Sequence, residues 1–276
     1  MLVEALEDEF IPLLVFNNQP GRDDELRQRF TEPAWNNPVL RFLDADGKDV
    51  LARRDGIWSS AAVAARLVDA LTAAKRPVPA YLANLAAELA QPRAQALFTM
   101  YCYWEGEAAF GAIEGVVATR AVDLPAAVTG TGKVEEGVLV DYLPGRVTSA
   151  ELIAAWKKLA CADRDLSGDA QAIKAAIAAK PSDRKHALRA TPLWRLPMTP
   201  LQQARANAAL AAGGDPLASL SPRQARLARR LEDASEFART ALAELEPAES
   251  LEGFAAWHAQ VAALFTQTES APAADR

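Results

Sequence analysis

Cysteine and histidine are scarce in this chain: two of each in 276 residues. Two thiols cannot build a disulfide framework, and without a CxxC pair there is little to hold a zinc ion. No apolar run approaches the ~20 residues that a bilayer-spanning helix requires. The opening MLVEALEDEF is acidic and lacks the basic-then-apolar order of a secretory leader. Positive charge is not in excess either. Lys and Arg number 30 against 36 Asp and Glu, a net charge of -6, so there is no electrostatic ground for nucleic-acid binding. The Arg-rich run RQARLARRLEDA turns acidic at once and reads as a solvated helix face. These absences point to a cytoplasmic protein with reduced thiols, without a metal or organic cofactor and without a nucleic-acid or membrane partner.

What is present suits a packed core, with 50% hydrophobic and 24% charged residues. The chain is long enough for two modest domains. In its first part, EFIPLLVFNN reads as a strand, DDELRQRF as a helix, and NPVLRFLDADGKDVLARRDG as two strands around the turn DADG. WSSAAVAARLVDALTAAK follows as an amphipathic helix capped by Ser59 or Ser60, and AYLANLAAELA as another. Pro92 marks a boundary. Beyond it AQALFTMYCYW, GVVATRAV and KVEEGVLVDYLP are extended, interleaved with the helices EGEAAFGAI and SAELIAAWKKLA, a pattern that predicts an α+β sheet. After residue 200 the pattern is helical almost throughout, with Ser or Thr caps and Pro just inside the first two helices.

The scarce cysteines draw attention to MYCYWEGEAAF, residues 100–110. Cys102 falls where an extended segment turns into a helix, and the unsatisfied N–H groups there favour a thiolate. Tyr103 and Trp104 supply apolar walls, and Glu107, a turn further on, can hold or deliver a proton. The residues alone leave a second reading open, in which Cys102 is a buried structural thiol among packed aromatics.

The stretch CYWEGEAAFGAIEGVVATR resembles the signature of peptide methionine-(S)-sulfoxide reductases, G-C-F-W-G-x-E followed by P-G-V-x-x-T. Cys102 matches the catalytic cysteine, Tyr103 the phenylalanine, Trp104 the tryptophan and Glu107 the glutamate. Gly115, Val116 and Thr119 continue the match. KVEEGVLVDYLPGRVTSAELIAAWKKL resembles the family's H-A-E-x-V…Y-D-P stretch, with Glu135 on its glutamate. SDRKHALRA resembles N-D-x-G-x-Q-Y-R-S, with Asp183 and Arg189 in register. The resemblance covers roughly residues 95 to 210.

It implies a ferredoxin-like α+β sandwich in which the Cys102 thiolate attacks a sulfoxide sulfur and a protonated glutamate, Glu107, hydrogen-bonds the sulfoxide oxygen. Asp183 would assist. The resulting sulfenic acid condenses with a second thiol and is recycled by a thioredoxin-type reductant. The substrate would be methionine sulfoxide in a peptide or protein. Cys161, at the end of the SAELIAAWKKLA helix, is either that second thiol or an incidental small residue. Asp123 and Leu188 stand where the family has tyrosines that hydrogen-bond the oxygen, at a cost of ~2.7–4 kcal/mol for each lost donor. Tyr103, Trp104 and Tyr142 are the aromatic side chains left to bind substrate, with Tyr101 a further phenol.

EPAWNNPVLRFLDADGKDV resembles the second half of a thioredoxin fold, which implies a cis bond at Asn37-Pro38. The opening βα unit with the redox motif is missing. That implies either a partner chain or a second copy that completes the sheet, or a chain that is a fragment of a longer one, and larger bacterial proteins joining two such halves are similar. The expected protein is thus α+β in three parts: a partial thioredoxin-like α/β segment over 1–91, a ferredoxin-like sandwich of the sulfoxide-reductase type over 92–215, and a helical C-terminal extension over 216–276. Two rival functions remain open. One is a non-catalytic relative used for binding or assembly. The other is a peroxide- or disulfide-handling protein using Cys102 with Cys161. Asp44, Asp46 and Gly47 read as a turn rather than a calcium loop, GTGK at 130–133 as a connection, and His186 and His258 as surface or packing residues.

Overall fold

The computed structural model describes residues 1–33, 38–232, 245 and 251–270, the last six by their backbone. The chain divides into two compact units, Met1–Leu89 and Ala90–Arg276.

The first unit has helices α1 (Leu2–Glu9) and α2 (Arg22–Arg29), then strands β1 (Val39–Leu40) and β2 (Arg54–Asp55), then helices α3 (Ser60–Ala73) and α4 (Ala80–Leu89). Ser59 caps α3 through its side chain, which accepts from the Ala62 amide at 3.2 Å. Leu67, Ala70 and Leu71 of that helix bury against Ala5, Phe42, Tyr81 and Leu82. The DADG turn forms as expected, with Asp44 Oδ1 accepting from the amides of Asp46 and Lys48. β1 and β2 pair antiparallel over two residues each. The EFIPLLVFNN run differs from expectation. It forms no strand, and Ile11 is 99% exposed. A strand needs a ladder partner for its amides and carbonyls, and among the described residues this unit offers only the short β1–β2 ribbon. The expected cis bond at Asn37-Pro38 involves Asn37, which lies outside the described residues.

The second unit is built on one five-stranded antiparallel sheet. Its strands are β3 (Ala94–Met100), β4 (Val116–Leu124), β5 (Glu135–Tyr142), β6 (Ala162–Asp165) and β7 (Ile177–Ala178), in the order β6-β3-β5-β4-β7. Helix α5 (Tyr103–Gly111) connects β3 to β4, α6 (Ala126–Thr129) lies between β4 and β5, and α7 (Ser149–Trp156) connects β5 to β6. The chain therefore runs strand–helix–strand–strand–helix–strand, with β5 inserted between the parallel pair β3 and β4. The α+β architecture expected from the interleaved pattern is what forms.

Alternation along β3 explains the two faces. Ala96, Phe98 and Met100 join Phe110, Val138, Val140 and Trp156 under α5 and α7, whereas Leu97 joins Val122, Leu124 and Leu139 on the other face with α8 (Ala170–Ala175). Phe98 stacks between Phe110 at 4.9 Å and Trp156 at 5.8 Å. Each such buried ring contributes about 1.5–3 kcal/mol. A capping box at Thr148 starts α7.

After the short helix α9 (His186–Arg189) come α10 (Pro200–Ala211), α11 (Pro222–Glu232) and α12 (Leu251–Ser270). Leu231 of α11 and Trp257 and Val261 of α12 share one core with Leu188, Trp194, Leu196 and Met198, so the C-terminal helices are part of this unit's packing. At the crossing of α5 and α10 a Cβ on Gly111 would lie 2.6 Å from the backbone oxygen of Ala204. A backbone carbonyl cannot swing aside. Gly111→Ala is expected to cost about 1–3 kcal/mol of stability, read as a lower urea midpoint. Gly168→Ala, whose Cβ would enter open space, should stay within about 0.5 kcal/mol.

Candidate functional site

Strand β3 delivers the chain to one end of the sheet, and Cys102 is the N-cap of α5, with extended backbone at φ -151° and ψ 96°. The thiol is half-buried and makes no capping hydrogen bond. Tyr103 follows and is buried, while Trp104 keeps part of its ring in solvent.

The first helical amide, that of Tyr103, donates to Glu136 Oε2 at 3.4 Å. Glu136 sits directly opposite Asp123 in the β4–β5 ladder. Asp183, at the end of a short 3-10 turn, brings a third carboxyl within hydrogen-bonding reach of the Tyr103 hydroxyl. Burial first, and then the charges of Asp183, Glu136 and Asp123, push the Tyr103 phenol well above its ordinary range. Burial also raises the Glu136 carboxyl. The Tyr103 amide opposes that rise, and the neighbouring Asp123 and Asp183 reinforce it. The site thus contains a carboxyl that keeps its proton to a higher pH than a free glutamate, held by the amide of the residue that follows Cys102.

The second cysteine is here too. Tyr101 N donates to the Cys161 carbonyl at 2.8 Å, and Cys161 Sγ reaches the Cys102 carbonyl at 3.5 Å. Both cysteines are free thiols. Burial, and after it the Glu105 side chain and Cys102, push the Cys161 thiol up to about 12. At neutral pH Cys161 is a proton-bearing thiol rather than a thiolate nucleophile.

His186 lies over Trp104, ring centroids 3.8 Å apart and planes 9° from parallel.

Of the residues the sequence singled out, Cys102, Tyr103, Trp104, Cys161 and Asp183 come together. Two do not serve as expected. Tyr142 pairs with Ala94, at the far end of β3 from Cys102, so the length of the strand separates it from the site although it shares the face of Glu136. Glu107 is fully buried one turn into α5 and forms an ion pair with Lys185 Nζ. Its Oε2 accepts from the Lys185 amide at 2.6 Å and its Oε1 from the Ala121 amide at 3.2 Å. Both carboxyl oxygens are thus taken up by Lys185 and Ala121. Glu135, which matched the family's glutamate, points to the other face and pairs with Arg164. Tyr101 is 78% exposed, and Arg189 lies over the Trp194 ring.

Glu136 is the residue the motif match missed. Strand alternation carried the signal, since Val138, Val140 and Tyr142 line the face under α5 and two steps back from Val138 is Glu136. Among the described residues no group of three or more His, Cys, Asp or Glu side chains is placed to hold a metal. No helix of the described residues is long and apolar enough to cross a membrane. No family model and no curated protein matches this chain.

Glu136→Gln isolates the raised carboxyl. Its folded pKa lies above its unfolded value, so the folded state binds the extra proton and wild-type stability falls as pH rises from about 4.3 through the folded value. Gln keeps an oxygen for the Tyr103 amide and removes the titration. The variant is expected to be more stable than wild type at pH 8 and to lose that segment of pH dependence, measured by urea melts from pH 4 to 8.

Proposed function

We propose that the Ala90–Arg276 unit is a thiol-dependent redox domain of the peptide methionine-(S)-sulfoxide reductase type, with Cys102 as nucleophile. The observation that carries this reading is the half-buried Cys102 thiol at a helix N-terminus whose first amide donates to Glu136, a carboxyl that burial raises above its ordinary range. The strand order β6-β3-β5-β4 and the helices between the strands support the ferredoxin-like part of the reading. In this mechanism the Cys102 thiolate adds to the sulfoxide sulfur while Glu136, in place of Glu107, gives its proton to the oxygen. The oxygen passes to Cys102 as a sulfenic acid and the thioether leaves. Condensation with the Cys161 thiol forms a disulfide and releases water, and a thioredoxin-type dithiol returns both cysteines to thiols. The Tyr103 phenol is buried and flanked by the carboxyls of Asp183, Glu136 and Asp123, so turnover by this site is expected to be slow.

A second reading rests on the contact between Cys161 and the Cys102 backbone. The same pair would cycle between dithiol and disulfide with peroxide as oxidant, without any sulfoxide chemistry. For the Met1–Leu89 unit, the ribbon followed by α3 supports a partial thioredoxin-like segment, and the exposed Ile11–Phe16 run supports a partner chain or second copy that supplies the missing strands.

Intact mass separates these readings. One equivalent of methionine sulfoxide is expected to convert the reduced protein to a form 2 Da lighter, as about two hydrogen masses leave with disulfide formation. Cys161→Ser should stop at the sulfenic acid, trapped by dimedone, and Cys102→Ser should not react. Disulfide with hydrogen peroxide but none with sulfoxide selects the second reading. No change with either oxidant selects a non-catalytic binding protein.

A further inference from the structure

Lys185 occupies the left-handed region, φ 47° and ψ 53°, and is only 6% exposed. A non-glycine residue there costs about 1–2 kcal/mol, and strain of this kind persists only where surrounding contacts over-determine it. The contacts are specific. Lys185 Nζ donates to the Thr119 carbonyl at 2.5 Å and pairs with Glu107, whose other oxygen takes the Lys185 amide. A buried ion pair contributes little net stability over well-packed apolar side chains, so stability is a poor account of why the arrangement exists.

Its geometric effect is clearer. The pair pins one residue of the 181–189 segment to α5 and β4. Two positions before that pin is Asp183, at Tyr103, and one position after it is His186, on Trp104. Further along, the Leu188 amide is held by Asn207 Oδ1 at 3.1 Å. The same helix that presents Cys102 thus grips the segment that brings Asp183 and His186 to it.

We propose that Glu107 and Lys185 are positioning residues, a buried clasp that sets Asp183 and His186 against the aromatic side chains next to Cys102. The proposal rests on the reading of this end of α5 as the site, but its test does not depend on turnover. The probes are hydrogen exchange of the peptide spanning 181–189 and the imidazole proton resonances of His186. With two histidines in the chain, both resonances resolve, and stacking on Trp104 shifts the His186 signal upfield.

In Glu107→Gln and Lys185→Met, the 181–189 peptide is expected to exchange at least tenfold faster, with β3 and β5 peptides unchanged, and His186 should lose its upfield shift. Lys185→Arg, which keeps the charge, should retain the protection and the shift. Should the single variants not fold, Glu107→Met with Lys185→Met removes both charges together and is expected to give a folded sheet with a released segment. Protection and shift at wild-type values, in the single variants or in that double variant, would overturn the proposal. So would uniform acceleration of all peptides, which marks a role in stability alone. Absence of sulfoxide turnover in the wild-type protein would count against the functional reading and leave this result standing.

Discussion

The register of β5 against its two neighbours is the constraint on which the site depends. β5 is the strand that both β3 and β4 pair with, antiparallel on each side. Side chains alternate faces along a strand, so a slip of one residue would exchange Glu135 for Glu136 beneath the N-terminus of α5. In the observed register Val138 and Val140 go into the core under α5 and α7, Glu136 meets the Tyr103 amide, and Glu135 turns to Arg164. Core burial sets the register here, and the placement of the acid follows from it. Moving Glu136 alone would mean exposing the valines.

At that end of the sheet three carboxyls, those of Asp183, Glu136 and Asp123, act on Tyr103. Such a cluster would oppose a thiolate if every member were ionised. The upward shift of Glu136 favours its protonated form, which carries none of that opposing charge and can act as an acid. The basic partner at this end of α5 is kept separate. Lys185 is committed to Glu107 and the Thr119 carbonyl, deeper in the unit. Two acidic side chains on one helix therefore have different surroundings, because Glu107 is buried against a lysine and Glu105 is exposed and acts on Cys161.

Much of the architecture was legible from local pattern. Capping at Ser59 and Thr199, the DADG turn, and the alternation in KVEEGVLVDY each specify structure within a few residues. EFIPLLVFNN shows where that reasoning stops. Its composition suits a strand, but a strand exists only when another backbone lies beside it, and none of the described residues of its unit does. The helical tail also reads as helix from periodicity alone. That it packs into the second unit's core through Trp257 and Val261 is a long-range fact that no window of sequence contains.

The amino-acid order by itself determined that Cys102 begins a helix, that Tyr103 and Trp104 adjoin it, and that an acid falls one turn later. These are properties of neighbours along the chain. Only the tertiary structure decided that this acid is locked to Lys185, that Glu136 is the carboxyl beside the thiol's helix, and that Cys161 comes back to within 3.5 Å of the Cys102 carbonyl. Such meetings depend on strand pairing and burial between residues far apart in sequence. The protonation of a carboxyl depends in turn on which charges and how much water those meetings leave around it.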